Sequence, residues 1–409
     1  MDSSNTAGVG ILNLTGNEFN NTLFGNNGAN ALGGGLGADR LYGYLGNDKF
    51  VVDNAGDLVY EAGGGGNDRV YASVSYTLTA GQEIETLTTT NWTLTSAINL
   101  TGNAFDNFIA GNNGINTLKG GVGWDRLYGY AGNDSYIVDN AYDGVNEAVG
   151  GGNDRVYASV TFILKFGQEI ETLTTTDNAG VIPISPFGNE FDNPIAGNNG
   201  NNGLLGGAGF DRLYGYGGDD SYRIDDARAL VFEVVGNGID RVLTTVSYAL
   251  AAGQEIEMLQ TPNERIPSAI NLTGNEFNNT VIGNANNNTI NGGAGIDQLA
   301  GYSGTDILLF NTAPNSATNH DSILDFEVPK DTIHLENTGA GLFNLLPLGV
   351  LAANRFGVFG AQDADDVILH NQATGDLYYD NNFLVAGGQT LFADVTNGLA
   401  LTNLDFFVI

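Results

Sequence analysis

The tetrapeptide Leu14-Thr15-Gly16-Asn17 returns as Leu100-Thr101-Gly102-Asn103, as Pro186-Phe187-Gly188-Asn189 and as Leu272-Thr273-Gly274-Asn275, each time 86 residues on. A fixed period of this kind restricts the fold to like units that bury their apolar faces on one another. A second period, of nine, runs inside each block. The first block reads GNEFNNTLF, GNNGANALG, GGLGADRLY and GYLGNDKFV over residues 16–51. Position one is always Gly. Position six is Asn21, Asn30, Asp39 and Asp48, and position eight is Leu23, Leu32, Leu41 and Phe50. The next nonapeptide keeps Asp57 at position six. Glu61 and Ala62 are then inserted, and residues 63–71 restore the phase with Asp68 and Val70.

Glycine accepts the positive φ of a tight turn without a Cβ clash. A lone apolar residue between polar neighbours sends one side chain inward from a short strand. Each nonapeptide therefore reads as a turn of about six residues and a strand of about three. Two make one coil, and coils stack as parallel strands about 4.8 Å apart. The expected fold is all-β, a parallel β-roll or β-solenoid with a β-rich C-terminal capping module. Stacking puts Asp39 beside Asn21 and Asp57, and Asp48 beside Asn30 and Asp68. Carboxylates at that spacing repel unless a cation lies between them. The whole chain carries 14 Lys and Arg against 47 Asp and Glu, a net charge of −33. Nucleic acid needs a basic footprint, so nucleic acid and anionic membrane surfaces are excluded as partners. With no Cys, disulfides and thiolate metal sites are excluded too.

The segments GGLGADRLY, GGVGWDRLY, GGAGFDRLY and GGAGIDQLA resemble the RTX, or hemolysin-type, calcium-binding nonapeptide, GGxGxDxUx. That resemblance implies several calcium ions held between stacked turns by position-six Asp carboxylates and backbone carbonyls. Calcium favours such oxygen-only donor sets. Carried over position by position, the implied ligands are Asp39, Asp48, Asp57 and Asp68 in the first block, and Asp125, Asp134, Asp143 and Asp154 in the second. The third block supplies Asp211, Asp220 and Asp240, and the fourth Asp297 and Asp306. Ala229 stands where Asp57 and Asp143 stand, so the site shared with Asp211 is expected to be weak or empty. Asn fills position six in the first two nonapeptides of every block, and those turns are expected to bind weakly or close on themselves.

Outside the nonapeptides, Glu61, Glu147 and Glu233 share one repeat position, and Glu85, Glu171 and Glu257 share another. Two readings stand, extra cation ligands or solvated charges that discourage edge pairing, the second being the commoner use of such a residue. The motif DRLYGY sets Arg40, Arg126 and Arg212 in a row with Tyr42, Tyr128 and Tyr214. Such a ridge could bind an acidic polysaccharide, or its Arg could answer the local acid excess while Tyr covers the strands.

Periodicity fades near residue 310. The organisation expected is a lead-in over 1–13, the roll over 14–310 and a capping and secretion-signal module over 311–409. Residues 321–335 with GDLYYD and the ending LDFFVI resemble the C-terminal region of type I secreted RTX proteins, including serralysin-like members. No basic and apolar leader opens the sequence. The resemblance thus implies extracellular secretion without an N-terminal signal peptide, through type I secretion machinery. It implies no membrane insertion, and a cell-surface association is open. The three His form no H-E-x-x-H, which excludes a serralysin-type zinc protease, and the absence of G-x-S-x-G speaks against a lipase. No enzymatic activity is expected of the roll, while composition leaves a carboxylate-pair glycosidase open and the C-terminal module is unassigned. The functional expectation is a calcium-folded structural or adhesive surface or matrix component that self-associates. The alternative is a calcium-dependent carbohydrate-binding or carbohydrate-modifying module.

Overall fold

The computed structural model describes residues 7–262, 267–339, 342–359, 365–382 and 388–409. Nearly every element is a short β-strand, and the described helical segments are the two 3-10 turns Ala353–Arg355 and Asn403–Asp405. The contacts divide the chain into two compact units. One holds Met1–Asn198 with Gly206–Asp211, and the other Asn199–Leu205 with Arg212–Ile409.

In the first unit every coil lays two strands parallel to those of the coils before and after it. Leu14 pairs with Leu32 and Leu32 with Phe50, while Leu23 pairs with Leu41 and Leu41 with Val59. These position-eight side chains point inward. Leu23, Leu32, Leu41, Phe50 and Val59 are all buried, in one apolar cluster. Backbone partners usually lie 18 residues apart, as a pair of nonapeptides requires. The inserted Glu61-Ala62 lengthens one coil to 20 residues, and the coils that follow take 17 and 22. The inward column survives all three, passing from Phe50 to Val70, Leu87 and Ile109. Removal of such side chains from water is the main favourable term, at roughly 1.5–3 kcal/mol each.

In the third nonapeptide of each block, position two is a glycine in the left-handed region, as at Gly35, φ 81°, and Gly121, φ 94°. In the nonapeptide that follows, Tyr44, Tyr130 and Tyr216 take the same place at φ 78°, and Tyr302 at φ 68°. A bulky side chain there costs on the order of 1–2 kcal/mol.

The second unit continues in the same way from Gly203–Leu205 through Gln298–Ala300 and Ile307–Phe310. Parallel stacking does not stop at 310. Asp321–Ile323 adds to Gln298–Ala300, and Thr332–Leu335 adds to Ile307–Phe310. These coils span 24 and 25 residues, so they carry no nine-residue signature. The stack then ends in mixed sheets. Gln389–Asp394 joins Asp321–Ile323 in parallel and Asp376–Asp380 in antiparallel fashion. Phe406–Val408 joins Thr332–Leu335. Phe310, Phe343 and Phe392 pack edge to face beneath this cap.

Candidate metal centre

The turn of the fourth nonapeptide shows how a carboxylate is held. Asp48 is fully buried. Its Oδ1 accepts the Asn30 N–H of the preceding coil at 2.6 Å, and its own N–H donates to Asp68 Oδ1 at 2.7 Å. The Asp68 N–H donates to Glu85 Oε2 at 2.6 Å. One oxygen of each acid is thus committed to the neighbouring backbone. The other oxygen of Asp48 lies over Gly43, the glycine at position one of its nonapeptide. A Cβ on Gly43 would overlap Asp48 Oδ2 and Glu61 Oε2. The same holds for Gly34 with Asp39, Gly120 with Asp125, Gly206 with Asp211, Gly292 with Asp297, and Gly301 with Asp306. Glycine is required here because the space of a side chain belongs to the carboxylate.

The second oxygens are left over. Oδ2 of Asp39, Asp48, Asp68, Asp125, Asp134, Asp154, Asp220, Asp297 and Asp306 is buried with no hydrogen-bond partner. A buried charged group without a partner costs more than the 1–3 kcal/mol of a neutral one. The second oxygens of Asp57 and Asp143 differ. That of Asp57 accepts the Asp53 and Asn54 N–H groups at 3.2 Å. That of Asp143 accepts the Asp139 N–H at 3.3 Å and the Asn140 N–H at 3.2 Å. These two residues close a ladder. Ala229 repeats the backbone of that turn, its N–H bonded to Asp226 O and its carbonyl accepting from Tyr248, without the carboxylate.

Three acid triads stand out. Asp48, Glu61 and Asp68 each offer an oxygen, all within 4.8 Å of one another, as do Asp134, Glu147 and Asp154, and Asp220, Glu233 and Asp240. All nine residues are buried. The inserted Glu is therefore no solvated edge charge, because the longer coil aims it over the glycine of the coil below. Burial raises these acids, and neighbouring carboxylates add to it. Glu61 is pushed up to about 9 and Glu147 to about 8. Asp68 and Asp134 rise to about 7, and Asp220 to about 8. The blocks are not identical. The hydroxyl of Tyr136 donates to Glu147 Oε1, and that of Tyr222 to Glu233 Oε1. Phe50 occupies the equivalent place in the first block, and Glu61 Oε2 has no donor.

Position-based reasoning missed further ladder members. Asp321 Oδ1 accepts the Asp297 N–H at 3.2 Å, and Asp331 Oδ1 accepts the Asp306 N–H at 2.9 Å. Their coil lengths hid them. Glu85, Glu171 and Glu257 each accept the N–H of the acid before them, Asp68, Asp154 and Asp240. Their shared repeat position marks them in the sequence as candidate cation ligands, but a spacing of 17 in place of 18 keeps them out of the nonapeptide count.

The Asn turns are complete in themselves. Asn107 Oδ1 accepts the Asn103 N–H at 2.9 Å, and its Nδ2 donates to Ile84 O at 2.6 Å. Asn116, Asn193, Asn279 and Asn288 repeat the pattern.

A family model for the RTX calcium-binding nonapeptide repeat matches four times, over residues 14–50, 101–136, 187–223 and 273–308. The chain is an RTX repeat protein. The matches of this RTX chain end at residue 308, so they lend no support to a serralysin-like reading of its C-terminal region. No curated protein matches it. Its donors fit the ion the repeat family binds, since they are oxygens only, buried, short of partners and gathered over a glycine cradle. Glu61, Asp68 and their counterparts lie beyond the matched segments, so the triads extend the family turn.

Proposed function

We propose that this RTX protein is exported unfolded and completes its β-roll by binding extracellular calcium, then serves as a structural or adhesive component of a cell surface or matrix. The row of buried, partnerless Oδ2 atoms carries this reading. Without a cation the stack must either protonate these acids or bear their repulsion. In low calcium, that repulsion and the net charge of −33 favour the open chain. When the ions bind, their binding free energy becomes folding free energy. Millimolar affinity is usual for extracellular modules. The terminal strand Phe406–Val408 is paired in the folded unit, so a transporter can read it only before folding.

The tyrosines of the Arg and Tyr ridge are engaged with their neighbours. Tyr42 stacks between Phe24 at 4.9 Å and Tyr60 at 4.4 Å, Tyr128 on Phe108 at 4.9 Å and Tyr214 on Phe232 at 4.5 Å. Both faces of Tyr42 are covered in this way, and one face each of Tyr128 and Tyr214.

The reading is tested by limited proteolysis and sedimentation of the full chain. In EDTA the chain should be digested throughout and sediment as an expanded monomer. In millimolar calcium it should resist digestion and self-associate. Equal resistance in both solutions would overturn the folding claim, and a calcium-loaded chain that stays monomeric would overturn the adhesive one.

A further inference from the structure

The geometry points to a binding cleft in the second block for an acidic saccharide, a sugar ring that carries a carboxylate. The cleft encloses about 480 Å³ and is lined by Trp124, Tyr142, Arg126, Lys165, Asp106 and Glu85, among others. This volume is in the range of small-ligand sites. Trp124 and Tyr142 are 61% and 73% exposed, yet face each other with centroids 5.1 Å apart and planes at 43°. The ring surface that this pair leaves exposed offers a platform for the apolar face of a sugar ring.

The cleft is lined by three acids, Glu85, Asp106 and Asp125, and two cations, Arg126 and Lys165. Asp106 Oδ1 accepts the Trp124 N–H at 2.8 Å, and Glu85 Oε2 accepts the Asp68 N–H at 2.6 Å. Neither the Arg126 guanidinium nor the Lys165 ammonium makes a hydrogen bond or ion pair among the described residues. In a chain of 47 acids and 14 cations, two free cations beside two aromatic rings are the groups that would receive a ligand carboxylate. Arg does so with a bidentate fork.

An extended acidic peptide fits less well. It would need an open strand edge. The strand Arg126–Tyr128 is paired on both sides, by Phe108–Ala110 and Gly144–Asn146. The roll itself does not require these side chains. The equivalent places in the first block are Ala38, Gly56 and Thr79, and in the third Phe210, Arg228 and Ala251. Both blocks form the same coils, so Trp124, Tyr142 and Lys165 are additions to the scaffold.

The sister blocks also supply substitutions the scaffold tolerates. Trp124→Ala copies Ala38, Lys165→Thr copies Thr79, and Arg126→Gln copies Gln298 of the fourth block. The experiment is calorimetric titration of the full chain in millimolar calcium. The probes are glucuronate- and galacturonate-containing oligosaccharides, with a neutral cello-oligosaccharide and a glutamate-rich peptide for comparison. An acidic oligosaccharide should bind at least tenfold more tightly than the neutral one. Trp124→Ala, and Arg126→Gln with Lys165→Thr, should each weaken it at least tenfold while leaving the circular dichroism in calcium unchanged. Three results would each overturn the proposal: no binding of either acidic sugar up to millimolar concentration, undiminished binding in the variants, or equal binding of the glutamate-rich peptide. The circular dichroism control keeps this outcome separate from any failure of the calcium reading.

Discussion

Asn107 and Asp125 sit one coil apart in the same ladder, both buried, over the same kind of glycine. Asn107 accepts the N–H of its own turn, and its amide Nδ2 donates to the Ile84 carbonyl. Asp125 accepts the Asn107 N–H at 2.7 Å through Oδ1 and has nothing for Oδ2. The backbone is the same, and the difference is one NH2 against one oxygen. The amide donor does internally what a cation must do for the acid. Each block therefore joins turns that are complete without a ligand to turns that await one.

The largest test of that contrast turns acid turns into amide turns. Asp48→Asn, Asp134→Asn and Asp220→Asn together remove one carboxylate from each triad. The account expects most of the calcium-induced rise in β signal to disappear and the remaining transition to need at least tenfold more calcium. Circular dichroism read during a calcium titration measures both.

Protons offer a second way to break it. The folded pKa values of Glu61, about 9, Glu147, about 8, and Asp68 and Asp134, about 7, all lie above the ordinary carboxylate range. Stability from such groups is present in acid and lost as pH rises through the folded value. In EDTA the roll should therefore gain order as pH falls from about 9 toward 5. In calcium the midpoint concentration should rise over the same fall, because protons compete for the same oxygens. Thermal melts across pH, with and without calcium, would show the two opposite slopes.

The reverse swap, Asn107→Asp, should have a smaller effect. It deletes the bond to Ile84 O and adds a charge beside Asp125. The calcium-free chain should lose about 1–3 kcal/mol of stability, much of it restored by calcium, as read by urea unfolding in each solution. Smaller again is Tyr136→Phe, which copies Phe50. It removes the donor to Glu147 and should lower calcium-free stability by about 1 kcal/mol. Urea unfolding in EDTA at neutral pH would show it.

Much of the roll was legible because Gly, Asp and the inward residue recur at a period that no compact fold other than a stack accommodates. Asp39 and Asp125 could be placed in their ladders by counting alone. Glu61 could not. It enters by an insertion, and only the added coil length shows that it turns inward and not to solvent. Asp321 and Asp331 were hidden for the same reason, since coils of 24 and 25 residues keep the ladder while losing the period. The second-block cleft was invisible for the opposite reason. Trp124 and Tyr142 fall at positions the nonapeptide leaves free, so the repeat says nothing about them, and only the fold brings residues 124, 126, 142 and 165 together.

The central claim is that calcium completes the acid turns. It is tested most directly by adding calcium to the EDTA-stripped chain and following far-UV circular dichroism, with magnesium as the control. Magnesium is smaller and gives up its water reluctantly. The account predicts a cooperative gain of β signal with calcium near millimolar concentration and none with magnesium. A chain already rich in β-structure in EDTA at pH 8, unchanged by calcium, would contradict it.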